Sequence, residues 1–513
     1  NQQQAGILVF NSLEFTRTQY HKVNIPIQNV KVVDEHGNTV PSEVHDALSF
    51  GETGFSLFFK ASSIPPLGYS AFMIIPTTSS SFVPSVNKIL PAKTMGGATS
   101  MSNEYLSIQF DSSSGRLQSL TDLGEGKTIS MIQSMLYYVP SNGSQTSGAY
   151  IFRPQANDPP RNLSISSFNF VDGPLVKELQ LIFNESSITQ VVRLYVGLDN
   201  VLGNYLDLEM HLGPLDVNYP NHYGKEYITR FQTNIANGKT FYTDDSGLEM
   251  QTRYTNYPTG RPGDYDEGVV LSGNYYPVVS RMYLQEPNVW QFTVLTAHSH
   301  GGSSLVEGEA EIMLHRRLLR DDDRGVGQAL DDFHETSPRF FVLSANPTNS
   351  SSLHRRLANV IQYPMQTFFL LPSSNSSLPV SFAPLVKDLP YNIRMISLKQ
   401  RDGASNTVIM RLMNIFESFE NPTYAVPTQV DLNAIFQGYS VSNIEERTLT
   451  TNLPLSENVR PQWNTTNDFD DEIHTRSYQE RFMGTTHGTP RDFVVTLYPM
   501  EIKSFWIELT PNQ

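Results

Sequence analysis

The feature that most constrains this chain is a two-residue hydrophobic period that recurs along it. Leu106, Ile108 and Phe110 follow it, as do Leu179, Leu181 and Phe183, then Val192, Leu194 and Val196, then Leu206, Leu208, Met210 and Leu212. Successive side chains of an extended backbone point to opposite faces, so each of these segments presents one apolar face to an antiparallel sheet. The cluster Asp111-Ser112-Ser113-Ser114-Gly115 follows the first run, and Leu117 to Leu120 returns as its partner. Gly115 supplies the positive φ that such a turn needs, which predicts a hairpin. Helical spacing is scarce: 353–361 holds two turns, with Ser351 or Ser352 as the expected cap and Pro364 beyond the end. Only 17% of residues are charged, against 29 Phe, 24 Tyr, 32 Gly and 32 Pro, a balance that excludes a disordered chain and a long-helix protein. The expected fold class is all-β, with several antiparallel β-sandwich domains including one large multi-sheet sandwich, and few short helices.

At ~150 residues per domain, 513 residues allow several domains. Turn-rich breaks divide the chain into a small β-sandwich domain at 1–90, a large β-sandwich domain at 95–345, a linker with a short helix at 346–373 and a C-terminal β domain at 374–513. The breaks are the low-complexity stretch Thr77 to Phe82, then Pro347 to Ser351 and Pro372 to Ser377.

The formal net charge is −15, so a polyanion meets net repulsion and nucleic acid is not an expected partner. No window approaches the ~18 to 20 apolar residues of a membrane helix, so no membrane span is expected. Asn1 reads as a processed or trimmed end, because neither a starting Met nor a charged, apolar-cored leader is present. With no cysteine, the chain has no disulfide, no Cys-ligated zinc and no thiol nucleophile, and the redox compartment stays open. Asn-x-Ser/Thr acceptors at Asn142, Asn162, Asn184, Asn349, Asn375 and Asn464 stand mostly in Ser-rich, turn-like stretches, which points to a secretory route.

Several motifs admit two readings. Gly124-Glu125-Gly126-Lys127-Thr128 imitates the end of a phosphate loop, but Thr121 stands where the first glycine is required, so a surface hairpin turn is expected. His298-Ser299-His300 puts two imidazoles on one face of an extended chain without a third ligand in metal spacing, and reads as a polar loop. Neither a Gly-x-Ser-x-Gly elbow nor a His-Glu-x-x-His helix occurs. The densest charge cluster, His315 to Gly327, contains Arg316, Arg317, Asp321, Asp322 and Arg324. Its Arg–carboxylate pairs are expected to fix a loop against a neighbour, while an unpaired member there could bind a sugar hydroxyl. Asn274-Tyr275-Tyr276-Pro277 offers two phenols beside a rigid proline, either core tyrosines with satisfied hydroxyls or a polyol-binding site.

At these residues the chain resembles the C-terminal half of class II α-mannosidases, glycoside hydrolase family 38, of the lysosomal or vacuolar acid type. The resemblance is carried in order by Val9-Phe10-Asn11-Ser12-Leu13, Leu67-Gly68-Tyr69, Ser147 to Pro154, Gly224-Lys225-Glu226, Phe241 to Asp244, Gly273 to Pro277, Leu295-Thr296, Gly301 to Leu305, His315 to Gly327 and Pro499 to Ile502. It implies a zinc-dependent retaining glycosidase that hydrolyses terminal α-linked mannose from N-glycans. The nucleophile, the acid/base and the zinc ligands would lie on a separate N-terminal catalytic subunit cut from the same precursor, so no catalytic or metal residue is assigned here. The pair would form a higher oligomer acting on mannose-containing glycans in the lysosome or vacuole, or after secretion. By its place in the motif Tyr276 takes the role of a mannose contact, and Asn274, Arg316, Arg317, Asp321, Asp322 and Arg324 support the site or its interface. Glu14 departs from the glycine of the family pattern, and His298 and His300 from its other polar residues. The rival reading is a mannosidase-derived lectin or storage glycoprotein that binds glycans without chemistry.

Overall fold

The computed structural model describes residues 4–46, 54–77, 99–143, 145–155, 158–185, 187–217, 223–256, 271–370, 381–404, 406–433, 435–459 and 493–512. The chain forms two compact units. One takes Asn1–Ala5, Thr18–Ser62 and Met73–Gln362, the other Gly6–Arg17, Ser63–Phe72 and Tyr363–Gln513. The stretch 1–90 is therefore shared between both units. The low-complexity stretch from residue 78 on lies outside the described residues, as does 371–380.

The fold is all-β, and the first unit is built on two nine-stranded sheets. One runs in the order Tyr276–Val278, His300–Ser303, Glu309–Leu318, Gly224–Thr233, Lys127–Tyr138, Leu117–Asp122, Leu106–Phe110, Ser100–Ser102, with Arg161–Asn162 added to Lys127–Tyr138. The other runs Ile165–Asp172, Val176–Phe183, Ile188–Tyr195, Leu206–Leu212, Arg339–Ala345, Trp290–Thr296, Arg281–Glu286, Thr240–Asp245, Glu249–Tyr254. The alternating residues do what their period dictates: Leu106, Ile108 and Phe110 of the first sheet share one buried cluster with Leu179, Leu181, Phe183, Leu206, Leu208, Met210 and Leu212 of the second. The hairpin at 111–115 forms as its sequence requires. Gly115 has φ +70°, and the Asp111 carboxylate accepts the Ser113 and Ser114 amides at 3.0 and 2.8 Å. Residues 123–126 are likewise a hairpin turn, closing on the pair Asp122 and Lys127.

The second sheet is buried on its other face as well, and there the residues are charged. All eight positions of Ile188–Tyr195 are buried. Over this face lies the strand Ser42–Asp46, whose Glu43 accepts the Val176 amide at 2.7 Å and the Leu175 amide at 3.2 Å. His45 stands between two carboxylates, Nδ1 3.1 Å from Glu178 and Nε2 3.0 Å from Glu43. Glu178 also accepts Arg193 Nε at 2.5 Å, and the same guanidinium reaches Glu209. A neutral imidazole has one donor, so only the imidazolium satisfies both contacts. Burial opposes that charge, but hydrogen bonds to Glu178 and Glu43 and their negative charge outweigh it and push the His45 pKa up to about 9.

One of the expected boundaries is corrected by the helix Pro347–Gln362, which begins six residues before the expected 353. Its cap is Asn346, whose side chain accepts the Asn349 amide at 2.9 Å, and Pro347 fills the first turn, where a missing N–H costs nothing. The expected caps Ser351 and Ser352 lie inside the helix and donate back to the Thr348 and Asn349 carbonyls, both at 2.8 Å. Ten of its sixteen residues are buried, and Pro347 to Ser351 is its first part instead of a linker before it.

In the second unit a four-stranded sheet runs Ile393–Gln400, Thr407–Asn414, Ile502–Pro511, Tyr439–Arg447, and Thr428–Asp431 pairs with Val494–Leu497. Leu412, Ile435, Phe505 and Ile507 form part of its core. The strand Ala5–Phe10 pairs with Gln366–Leu370. Glu14 is 1% exposed and accepts from both the Arg394 guanidinium and the Met395 amide, the latter at 3.1 Å.

Two predictions follow from these buried charges. His45 is more basic folded than unfolded, so its contribution is complete below pH ~6.5 and is lost as the pH rises through about 9. At about 1.4 kcal/mol per pKa unit this is on the order of 3 kcal/mol. Thermal melting should fall across that window, and His45→Gln should flatten the fall while lowering Tm below pH 6.5; an equal slope in both proteins would refute the clamp. Glu14→Ala leaves Arg394 buried without its carboxylate and should cost the second unit about 3–5 kcal/mol in urea unfolding.

Candidate functional site

Many of the motif residues gather on the face of the first sheet that looks away from the large core, whereas Tyr276 packs against that core. Alternation explains why. In Lys127–Tyr138, Met135 and Tyr137 join the core while Leu136 and Tyr138 point outward, and in Gly224–Thr233 Tyr227 and Phe231 join it while Ile228 packs outward with Leu136 and Tyr138. The outward face is a second buried layer, roofed by Phe152.

Phe152 belongs to the loop Ser147 to Pro154, and four contacts hold that loop. Ser147 Oγ donates to Glu226 at 2.8 Å and accepts the Arg153 amide at 2.8 Å. Arg316 donates to the Ile151 carbonyl at 2.7 Å and pairs with Glu226 at 2.7 Å. Asp322, which is 0% exposed, accepts the Tyr150 amide at 2.6 Å and the Ile151 amide at 3.1 Å. The Phe152 ring stands edge-on to Tyr138 at 5.6 Å and to Tyr275 at 5.0 Å. Gly148 is required because a Cβ there would lie 2.5 Å from Asp322 Cβ.

The two tyrosines of Asn274-Tyr275-Tyr276-Pro277 separate as an extended backbone demands. The Tyr275 hydroxyl donates to Glu311, which also accepts Tyr138 at 2.8 Å and Arg230 at 2.5 Å. Burial, reinforced by the Glu311 charge, holds the Tyr275 phenol far above its ordinary pKa, so it stays a neutral donor. Tyr276 lies on the other side, half-buried, its ring edge-on to Phe241 at 5.8 Å and covered by the Arg253 guanidinium at 4.6 Å. Arg253 is held by Thr243 Oγ1 at 3.0 Å. The Tyr276 hydroxyl makes no hydrogen bond among the described residues. Asn274 is buried, accepting the Asn256 amide at 2.6 Å and donating to its side chain at 2.9 Å.

The charge cluster divides into separate tasks. Arg316 grips the loop, as above, while Arg317 pairs with Asp331 at 2.7 Å, donates to the Leu215 carbonyl at 2.7 Å and covers Phe333. The pairs expected inside the cluster do not form; its arginines reach Glu226 and Asp331, and its buried aspartate takes backbone amides. Asp321 Oδ1 and Asp322 Oδ1 are buried without a hydrogen-bond partner among the described residues. Arg324 is exposed on the following turn. Tyr276 faces Gly302 and Gly302 faces Ile312, so Arg316 lies two strands across and four residues along from Tyr276, roughly 15 Å away. The Ser147 to Pro154 loop links Arg316 to Tyr275 through Ile151 and Phe152, and Tyr276 stands apart from the arginine cluster. Sequence reasoning missed Glu226, Glu311 and Tyr138, which carry no local pattern, although Glu226 stands inside a quoted motif.

His300 begins a strand instead of lying in a loop: Nδ1 is 2.7 Å from the Met313 carbonyl, the ring lies against Phe340, and burial lowers its pKa. His298 is exposed. Asn142, Asn162, Asn184 and Asn349 are exposed, Asn349 in the first turn of the helix; Asn375 and Asn464 lie outside the described residues.

Residues 101–324, the span that carries this layer, match the sequence profile of the C-terminal domain of family 38 glycosyl hydrolases. Identity of 31% to the lysosomal α-mannosidase of Dictyostelium discoideum runs over 98% of the chain and 50% of that protein. The α-mannosidase of Canavalia ensiformis is 30% identical over 98% of the chain, and the human lysosomal α-mannosidase 30% identical over 97%. The chain belongs to glycosyl hydrolase family 38. It spans about half the length of the curated relatives it matches. An α-mannosidase from Enterococcus faecalis shares the fold across 98% of this chain and 56% of its own, with a TM-score of 0.63 at 13% identity.

The grip of Asp322 on Gly148 is testable. Gly148→Ala should displace the loop, destabilise the protein by about 1–3 kcal/mol and open 147–154 to limited proteolysis. Unchanged stability and cleavage would show that the loop is not packed there.

Proposed function

We propose that the chain is the all-β C-terminal part of a retaining acid α-mannosidase that hydrolyses terminal α-linked mannose, and that its chemistry resides in a further N-terminal subunit of the same precursor. The observation that carries this reading is identity along nearly the whole chain to proteins named lysosomal α-mannosidase. A retaining glycosidase needs two carboxyl groups ~5–5.5 Å apart across the scissile bond. The acids described here are instead committed: Glu226 to Arg316 and Ser147, Glu311 to Tyr138, Tyr275 and Arg230, Asp322 to the loop. Among the described residues no group of three or more His, Cys, Asp or Glu could hold a metal ion, so the described residues do not fit the zinc of the proposed enzyme. Zinc and its ligands would then belong to the N-terminal subunit.

What this chain offers the sugar is a fixed phenol. The Tyr276 ring is clamped between Phe241 and Arg253, and Pro277 restricts its backbone to extended geometry, so the hydroxyl holds one direction. A hydrogen bond from it to a mannose hydroxyl that tightens as positive charge develops at the ring lowers the barrier. The acid preference set by His45 and the exposed acceptors at Asn142, Asn162, Asn184 and Asn349 suit a glycoprotein of the lysosome or vacuole.

In the assembled enzyme Tyr276→Phe should lower kcat and kcat/KM for an aryl α-mannoside together, by a few-fold to about tenfold for one neutral hydrogen bond of ~0.5–1.5 kcal/mol. Tyr275→Phe should leave both nearly unchanged and reduce stability, because it removes one of the three donors to Glu311. Equal kinetic effects from the two substitutions would return the motif to the core. The purified chain alone should show no turnover, and zinc-dependent cleavage by it would overturn the division of labour.

A further inference from the structure

The strand Ser42–Asp46 belongs to a three-stranded sheet with Phe55–Ile64 and Arg17–Ile25. His45 stands opposite Ser56 in that sheet, so both side chains face the charged side of the second nine-stranded sheet. Beside the His45 clamp, and sharing its Glu178 and Arg193, lies a cavity of about 230 Å³. Gln180, Val191 and Glu209, which form one row across three strands of the larger sheet, line one side of it. Lys22, Asp46 and Ser56 line it from the smaller sheet. Glu178 and Arg193 are committed to each other and to the clamp, but these last three groups are not. Asp46 makes no hydrogen bond or ion pair among the described residues. Ser56 is 5% exposed, and its hydroxyl has no partner among them either. Lys22 comes no nearer to Glu209 than 3.6 Å, too far for a hydrogen bond.

We propose that this cavity binds a single pyranose ring through the unpaired groups of Lys22, Asp46 and Ser56. A buried polar group without a partner is costly, and a serine that is almost wholly enclosed yet unbonded marks a place where a ligand can supply the missing bond. The lining selects the ligand's charge. A cation meets Lys22 and Arg193, while an anion meets Asp46, Glu209 and Glu335. A neutral hydroxyl uses both signs, since it donates to a carboxylate and accepts from an ammonium, and adjacent hydroxyls repeat that pattern along a sugar. Val191 adds an apolar surface for the C–H face of a ring. The volume lies below the ~300–1,000 Å³ of pockets for larger ligands, which fits one ring and excludes an enclosed oligosaccharide. The inference is independent of where glycoside hydrolysis takes place; it adds a binding site on the charged face that holds His45.

The test reads occupancy locally in the whole protein, by the rate at which an amine-acylating reagent modifies Lys22, whose side chain is 30% exposed. Methyl α-mannopyranoside should slow that modification saturably, with a half-effect at roughly millimolar concentration, as for a small ligand held by a few hydrogen bonds. Guanidinium and sulfate at the same concentrations serve as the cationic and anionic probes and should protect far less. A mannose-terminated glycopeptide separates two sources of the ring: protection by it assigns the site to the end of a glycan, and protection by the free glycoside alone assigns it to a monosaccharide. Asp46→Asn should raise the half-effect concentration roughly tenfold and Ser56→Ala a few-fold. Because neither group is bonded within the chain, both variants should melt without sugar close to the unsubstituted protein. Equal protection in the Asp46→Asn variant, protection by either ion matching that of the glycoside, or no protection by any pyranoside would overturn the proposal. A fall in Tm of the sugar-free Asp46→Asn protein would also overturn it, by showing that the carboxylate is structural. The readout is independent of turnover, so an inactive assembled protein would remove the functional reading and leave this site standing.

Discussion

One apolar layer between two nine-stranded sheets organises the larger unit, and it uses only one face of each. Period-two alternation then leaves a second face whose residues must also be accounted for. On one sheet that face holds Glu178, Arg193, Asp207 and Glu209, and on the other Glu226, Arg230, Glu311 and Arg316. Buried charges persist only where each finds its partner, so both outer faces become networks in which no member can be removed cheaply. The candidate site is one of these networks and the acid-favouring clamp is the other. Both follow from the same arrangement, an apolar interior that leaves the polar side of each strand to be covered by short strands and loops.

The core was legible in the sequence because its signal is local. Leu206, Leu208, Met210 and Leu212 lie one after another on a single strand, and their period alone fixes the face they bury. The helix start was misplaced, because the Ser-rich run after Asn346 resembles a turn and serines that fold back on their own helix read as caps. The separation of Tyr275 from Tyr276 follows from alternation, whereas the reason it matters does not. Glu311 is 36 residues from Tyr275 and 173 from Tyr138. Nothing near a lone glutamate in a strand tells which hydroxyls it will accept. The same holds for Arg316, whose partner Glu226 is 90 residues away; the cluster around it made pairing within the cluster look natural, and strand register chose otherwise.

A β-rich region without committed catalytic groups can still shape a reaction, since it can present a donor at a fixed angle without contributing mobile charge. Tyr276 has that character. Its ring is fixed from both sides while its hydroxyl is left without a partner among the described residues, whereas its neighbour is fully consumed by Glu311. The contrast between a satisfied phenol and one without a hydrogen bond among the described residues, on adjacent positions, is what the proposed sugar contact of Tyr276 rests on.

The grip of Asp322 on the Ser147 to Pro154 loop also bears on the order of folding. The residues it joins are 171 and 172 apart in sequence, and Ser147 meets Glu226 across 79. Contacts of such separation form late, after the loop-closure entropy of the intervening strands has been met. The roof over Tyr275 can therefore close only once Lys127–Tyr138, Gly224–Thr233 and Glu309–Leu318 lie side by side. The site is a late product of assembly, and a change that slows pairing of those strands deprives the protein of its site long before it deprives it of its core.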